Sequence, residues 1–129
     1  RHDRDPDRTW RIEPAPVLIL EGIHALSVPE LLPLIDLSIY VDTPDDLRLA
    51  RRLRRDVIER SRSVENVLEH YLKTVRAAHY RFTFPAKFEA DLVIADEGLP
   101  AYGKVCAGED AIDRMLAPVV SRLQLMGVL

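Results

Sequence analysis

Glu21 follows directly after a run of four aliphatic residues, Val17 to Leu20, and precedes Gly22. A continuous apolar run of this length is typical of a strand that is covered on both faces. An acid at the end of such a strand has two interpretations. It can hold a hard cation such as Mg²⁺, which prefers oxygen ligands, or it can be an ordinary carboxylate that caps a helix or a turn. These residues by themselves leave both interpretations open.

A second chemical signal is the arginine-rich segment RLARRLRRDVIERSR, residues 48–62. On a helix its apolar residues share one side; they are Leu49, Ala50, Leu53 and Val57. The arginines gathered on the opposite side are Arg48, Arg51, Arg52, Arg55 and Arg62. Arginines four positions apart repel each other, and a merely solvated face usually avoids this by alternating sign. Because guanidinium binds phosphate through two parallel donors, the pattern favours an anion site over a solvated helix face.

The elements that must position these residues alternate between strands and helices. Besides Val17 to Leu20, the segments LSIYVD (37–42) and DLVIAD (91–96) are strand candidates. Strands separated by helices predict crossover connections and a mainly parallel sheet. The sequence therefore predicts a single α/β domain over residues 1–129.

Capping residues predict where the helices begin. Thr43 is expected to cap the arginine-rich helix, with Pro44 in its first position. Ser63 is expected to cap a second helix over 64–80, so that residues 61–63 form a break of the kind found in lids. The arginine-rich pair of helices then spans 43–80, and a terminal helix is predicted over 109–126.

Composition restricts the class of protein. The 129 residues are 47% hydrophobic and 30% charged, which is typical of a globular protein. The net charge of -3 gives no general reason to expect nucleic-acid binding, and no run reaches the length of a membrane span. The single Cys106 excludes an internal disulfide and is compatible with a reducing cytoplasm. Neither a zinc-binding His/Cys spacing nor a GxSxG elbow is present.

The order of these segments resembles a known family. The string VLILEGIHAL, followed by DLSIYVDTPDDLRLARRLRRDVIERSRS and VLEHYLKTVR, is similar to the uridine kinase branch of the P-loop kinases, which also includes phosphoribulokinase. The similarity runs from about His2 to Ile94. It implies a parallel-sheet, P-loop kinase-like fold, of which this chain is expected to be an incomplete C-terminal portion.

The resemblance also implies roles for individual residues. Glu21 matches an acid that helps to coordinate Mg²⁺, and His2 falls where the family places a histidine against the pyrimidine. Arg52 matches an arginine that reaches the nucleoside ribose or the reacting centre. The remaining matches are Arg55 and Arg60 for the ATP phosphates and Arg62 for the acceptor nucleoside.

Three departures from the family pattern affect these expectations. Ser61 replaces the glycine of the usual RGR lid sequence, and a positive φ there would strain a serine modestly. His70 stands where a glutamine commonly contacts the pyrimidine. The GxxxxGK(S/T) phosphate loop and the aspartate base that precede these segments in the family are absent, so the chain alone is expected to be inactive.

Three functions remain open from the sequence. The first is part of a cytoplasmic kinase that transfers the γ-phosphate of ATP, with Mg²⁺, to the 5′-hydroxyl of a pyrimidine nucleoside. The second is a kinase of another small acceptor, such as a sugar phosphate. The third is a non-catalytic remnant that binds anions or a partner through its arginines. Neither nucleic acid nor a membrane is expected as a partner, and homo-oligomer formation is left open.

Overall fold

The strands of the described sheet are short and parallel. The computed structural model of the protein describes residues 9, 11, 13–96 and 109–129. Within these residues β1 (Ile39–Asp42) pairs with β2 (Leu92–Ala95), and Ile39 lies opposite Leu92. The pairing is parallel, which confirms the predicted crossover connection between the two segments. The mixture of helices with a parallel pair of strands agrees with the predicted α/β class.

Hydrogen bonds fix the sheet at both ends of the strands. Before the strands begin, the backbone N–H and the hydroxyl of Ser38 both donate to Asp91 Oδ2, at 2.8 and 2.6 Å. At their carboxyl ends, the N–H of Asp96 donates to the carbonyl of Asp42 at 2.9 Å. The ends of β1 and β2 are therefore held in register, and the elements that follow them start from fixed positions.

The arginine-rich helix α1 spans Asp45–Ile58. The prediction that Thr43 caps it is wrong, because Pro44 occupies the cap position and the Thr43 hydroxyl instead donates to Asp96 Oδ2 at 2.9 Å. Two carboxylates, Asp45 and Asp46, lie in the first turn of α1. Their negative charges stabilise the helix because they interact favourably with the positive end of its dipole. Thr43 thus links the start of α1 to the end of β2.

A second helical run begins at Val64 and is capped by Ser63, as predicted. The Ser63 hydroxyl accepts a hydrogen bond from the N–H of Asn66 at 3.2 Å. The run continues past the predicted end at residue 80, without a gap, to Phe88. Its successive parts are α2 (Val64–His70), a π-helix (Tyr71–Val75), α3 (Arg76–Ala78), a second π-helix (His79–Thr83) and a 3₁₀ helix (Phe84–Phe88).

The prediction of a covered strand at Val17 to Leu20 is wrong. These residues form no strand in the structure, and their side chains are exposed, with Ile19 at 86%. A strand exists only where a neighbouring strand accepts and donates its backbone hydrogen bonds. Within the described part of the chain, β1 and β2 pair only with each other, so this run has no partner.

The terminal helix α4 spans Glu109–Leu125 and packs against β2, close to the predicted range of 109–126. A 3₁₀ turn, Leu32–Leu34, precedes β1. The apolar side chains buried most completely among the described residues are Tyr40, Val67, Ala86 and Ile94. No helix in the described ranges has both the length and the apolar character needed to cross a membrane.

Candidate anion-binding site: arginines around Asp56

Asp56, on the last turn of α1, is the centre of the candidate site. Its side chain is 0% exposed, although aspartate is rarely buried so completely. Four arginines lie within ion-pair distance of its carboxylate: Arg52, Arg55, Arg60 and Arg62. We call these four residues and Asp56 the arginine cluster. One carboxylate cannot neutralise four guanidinium groups, so the cluster keeps an excess of positive charge.

The arginine cluster contains every arginine for which the family resemblance implies a specific role. Arg52 and Arg55 lie on α1, whereas Arg60 and Arg62 lie in the break that follows it. Sequence reasoning overlooked Asp56 itself. The signal was present in the spacing, because Asp56 lies four residues after Arg52 and four before Arg60, and residues at this spacing are neighbours on a helix.

Opposing effects act on the Asp56 carboxyl group. Burial is the largest single effect and raises the pKa of Asp56, because it disfavours the charged form. The hydrogen bond from Arg55 and the charges of Arg55, Arg52 and Arg60 act in the other direction. Together they outweigh burial, so the pKa of Asp56 lies below its ordinary value and the carboxylate is ionised at neutral pH.

The backbone of the break between α1 and α2 brings the arginines of the break to Asp56, beside those of α1. Ser61 has φ of 52°, which confirms that this position requires a left-handed conformation although the residue is not glycine. The N–H of Arg62 then donates to the carbonyl of Asp56 at 3.0 Å. The chain therefore folds back onto the end of α1, and this return brings the Arg62 guanidinium to the Asp56 carboxylate.

An open cleft of about 790 Å³ lies beside the arginine cluster. Its lining includes Arg52 and Arg55 of the cluster and four further arginines: Arg48, Arg51, Arg54 and Arg76. Glu59 is the one acidic residue among the described residues of this lining. Clustered guanidinium groups with few carboxylates form a surface that attracts anions. This supports the predicted preference for an anion over a solvated helix face.

Some of the cleft arginines are held by carboxylates. Arg51 forms a two-point contact with Asp96, in which Nη2 donates to Oδ1 at 3.2 Å. Arg48 pairs with Asp45, which also accepts a hydrogen bond from the Tyr80 hydroxyl. That hydrogen bond is the main reason why the pKa of Asp45 is lowered. These ion pairs fix the orientation of the Arg48 and Arg51 side chains on the side of the cleft near the carboxyl ends of β1 and β2.

His79 contributes little positive charge to the cleft. His79 lines it, and burial, followed by the charge of Arg48, lowers the pKa of His79 below its ordinary value. His79 is consequently neutral at pH 7. His70 lies between this cleft and a second depression of about 680 Å³, since it lines both. Its Nδ1 lies 3.2 Å from Arg52 Nη2. Because arginine can only donate, His70 Nδ1 accepts in this contact.

Glu21 forms no ion pair with the arginine cluster. Its side chain is exposed, and it forms no hydrogen bond or ion pair with another described residue. Ile23 and His24, which follow it closely in the chain, do line the cleft. No group of three or more His, Cys, Asp or Glu side chains suitable for a metal occurs among the described residues. His2, which was predicted to contact the pyrimidine of the acceptor, lies outside the described residues.

Comparison with known proteins agrees with the arginine pattern. Residues 1–99 match the model of the Phosphoribulokinase / Uridine kinase family. A uridine kinase of Borrelia hermsii is 50% identical over 95 residues, which cover 74% of this chain and 46% of that protein. One from Borrelia duttonii is 49% identical over 92 residues, or 71% of this chain and 45% of that protein. One from Limosilactobacillus reuteri is 42% identical over 92 residues, or 71% and 42%.

This chain therefore spans less than half the length of these relatives. The match nevertheless includes both strands, α1, the break and the second helical run, and so all of the arginine cluster. The chain belongs to the Phosphoribulokinase / Uridine kinase family.

Proposed function

We propose that this chain forms the acceptor-side and arginine-bearing part of a cytoplasmic kinase that transfers the γ-phosphate of ATP to the 5′-hydroxyl of a pyrimidine nucleoside. Family membership and the names of the relatives support the reaction class. The observation that carries the proposal is the arginine cluster at the side of an open cleft.

Phosphoryl transfer requires what this cleft can provide. Negative charge on the transferred group is spread over three oxygens, and catalysis consists mainly of positioning and charge neutralisation. We assign Arg55 and Arg60 to the phosphates of ATP and Arg52 to the transferring group. Arg62 and His70 are assigned to the acceptor, and His2 to its base. The exposure of the Arg55, Arg60 and Arg62 side chains, at 44, 45 and 43%, leaves them accessible to a ligand.

The reaction forms a bond between the acceptor hydroxyl oxygen and the γ-phosphorus, while the bond from the γ-phosphorus to the oxygen bridging to ADP breaks. The hydroxyl proton passes to a base, and the family pattern places that base ahead of residue 1. The part of this chain is to bind and orient the two substrates. Its arginines also compensate the charge on the oxygens that surround the phosphorus.

Glu21 fits a Mg²⁺ ion in one respect. Mg²⁺ is usually held by one or two carboxylates together with substrate phosphates and waters, so a site needs few protein ligands. The Glu21 carboxylate is exposed and has no protein partner among the described residues, so it is available for this role. When bound with ATP, Mg²⁺ neutralises charge on the β- and γ-phosphate oxygens.

One observation favours a second candidate, a kinase of an acceptor that itself carries phosphate. The cleft lining holds six arginines against one glutamate among its described residues, and Asp45 and Asp96 pair with two of these arginines, Arg48 and Arg51. That is more positive charge than a neutral nucleoside requires in addition to ATP. His70, which replaces the expected glutamine, adds to this argument because an amide normally reads the edge of a base.

A direct assay separates these functions. A family P-loop segment is joined ahead of residue 1, and transfer from radiolabelled ATP is measured with uridine, cytidine or a pentose phosphate. Uridine or cytidine as the preferred acceptor supports the proposal, and a preference for the pentose phosphate supports the second candidate. Binding of ATP to the chain without transfer to any acceptor would favour the non-catalytic remnant.

Single substitutions in the same protein test the assigned roles. Arg60→Ala should lower kcat on the order of 100-fold and weaken ATP, because it removes one preorganised charge. Glu21→Gln should lower kcat by a similar factor at saturating Mg²⁺. Arg81→Ala is the matched control. Like Arg60, Arg81 lines neither depression, but it stacks on Phe82 and has no contact with Asp56. Equal, small effects from all these variants would contradict the assignments.

A further inference from the structure

The two oxygens of the Asp56 carboxylate face different arginines. Oδ1 accepts hydrogen bonds from Arg55 Nε at 3.0 Å and from Arg60 Nη1 at 3.3 Å. Oδ2 lies 3.6 Å from Arg62 Nη1 and 3.8 Å from Arg52 Nε. Neither of these longer separations is a hydrogen bond, and Oδ2 and Arg52 Nε are both buried without one.

This division coincides with the division by substrate. The arginines on Oδ1 are those assigned to the phosphates of ATP, and the arginines on Oδ2 are those assigned to the acceptor and the transferring group. We propose that Asp56 is a positioning residue that holds the donor-side arginines with one oxygen and the acceptor-side arginines with the other. The naming of the two sides rests on the proposed function, whereas the division itself is a property of the carboxylate.

Asp56 acts through its neighbours, because a side chain that is 0% exposed cannot touch a substrate. Its two sides hold their arginines differently. The charge-assisted hydrogen bonds to Oδ1 fix Arg55 and Arg60. Arg52 and Arg62 are attracted to Oδ2 by charge alone, so they can reorient toward an incoming acceptor at smaller cost. One residue therefore gives the donor side a fixed arrangement and the acceptor side an adjustable one.

Asp56→Asn separates the two sides. Asparagine offers one oxygen and one NH₂ group. Because Oδ1 accepts two hydrogen bonds and Oδ2 accepts none, the amide oxygen is expected in the place of Oδ1. The NH₂ group then faces Arg52 and Arg62, where it repels them. The neutral amide oxygen keeps the hydrogen bonds from Arg55 and Arg60 but weakens them. In the P-loop-bearing protein, the acceptor KM should therefore rise on the order of tenfold and the KM for ATP by clearly less.

Two controls accompany this variant. Asp56→Ala removes both oxygens and should raise both KM values. Asp46→Asn makes the same chemical change on an exposed residue of α1 outside the arginine cluster and should alter neither. A lower kcat with both KM values unchanged would mean that Asp56 only maintains the folded fraction. An equal rise of both KM values in Asp56→Asn would also overturn the proposal.

A spectroscopic measurement on the unsubstituted 129-residue chain does not depend on catalysis or on the folding of a variant. The Nε–Hε resonances of the arginines are followed by NMR as acid protonates the carboxylates. The Arg55 resonance should shift downfield relative to that of Arg52 and should move as Asp56 titrates, while that of Arg81 stays constant. Absence of this coupling overturns the role of Asp56 whatever the kinase assay shows. Its presence in the 129-residue chain, combined with a P-loop-bearing protein that transfers phosphate to no acceptor, would reject the proposed function alone.

Discussion

A buried carboxylate among guanidinium groups carries a desolvation cost that its ion pairs must offset. Such groups often contribute little net stability compared with apolar side chains of similar size. The position of Asp56 is better explained by the orientation that it gives to Arg55 and Arg60. The sequence predicted which arginines form the site because their spacing and type are visible. The spacing places Asp56 beside Arg52 and Arg60, but the sequence does not show that Asp56 is buried, because that burial depends on the return of the chain at Ser61.

The charge state of Asp56 makes stability depend on pH. Its pKa in the folded chain lies below the ordinary value of 3.8. The stabilisation by the ionised form is therefore complete above the unfolded-state pKa, and it is lost as pH falls through the folded-state pKa. We expect the difference in free energy of unfolding between the chain and Asp56→Asn to shrink below about pH 4. Urea unfolding over a pH series measures it, and a difference that stays constant into strong acid would contradict the assignment.

At the scale of elements, the break between α1 and α2 determines which arginines meet. Local rules identified it, because Ser63 is a good cap and a left-handed residue was expected at Ser61. The same rules ended the second helix too early. Pro85 does not end the run, because it occupies the first turn of the 3₁₀ helix Phe84–Phe88, where the missing N–H is tolerated. The run therefore extends beyond residue 80.

Two serine substitutions in this break should have opposite effects. Ser61→Gly relieves a left-handed conformation that is unfavourable for serine, and it should raise the free energy of unfolding by about 0.5–1 kcal/mol. Ser63→Ala removes the hydrogen bond to the N–H of Asn66 and should lower it by about 1 kcal/mol. Thermal or urea unfolding of both variants measures the pair. Destabilisation by Ser61→Gly would show that the serine side chain has a role beyond its backbone conformation.

At the scale of the whole molecule, the parallel pairing of β1 and β2 was predictable because helices separate them in the chain. The exposure of Val17 to Leu20 was not predictable in this way. An apolar run indicates that a segment favours burial, but it does not identify the surface that covers it. In this structure the four side chains are 49 to 86% exposed, and Val41 and Val93 in the sheet are also half exposed. Exposed apolar side chains of this kind tend to associate.

We therefore expect the chain to self-associate through Val17 to Leu20. Ile19, at 86% exposure, has no packing to lose, so Ile19→Lys should change the free energy of unfolding by less than about 0.5 kcal/mol. The added charge should nevertheless repel a second copy and weaken association. Sedimentation velocity over a range of concentrations measures this effect. Leu72→Lys is the matched control, because Leu72 is 68% exposed but lies on the π-helix Tyr71–Val75, outside the run. Unchanged association in Ile19→Lys, or an equal decrease in both variants, would show that Val17 to Leu20 is not the associating surface.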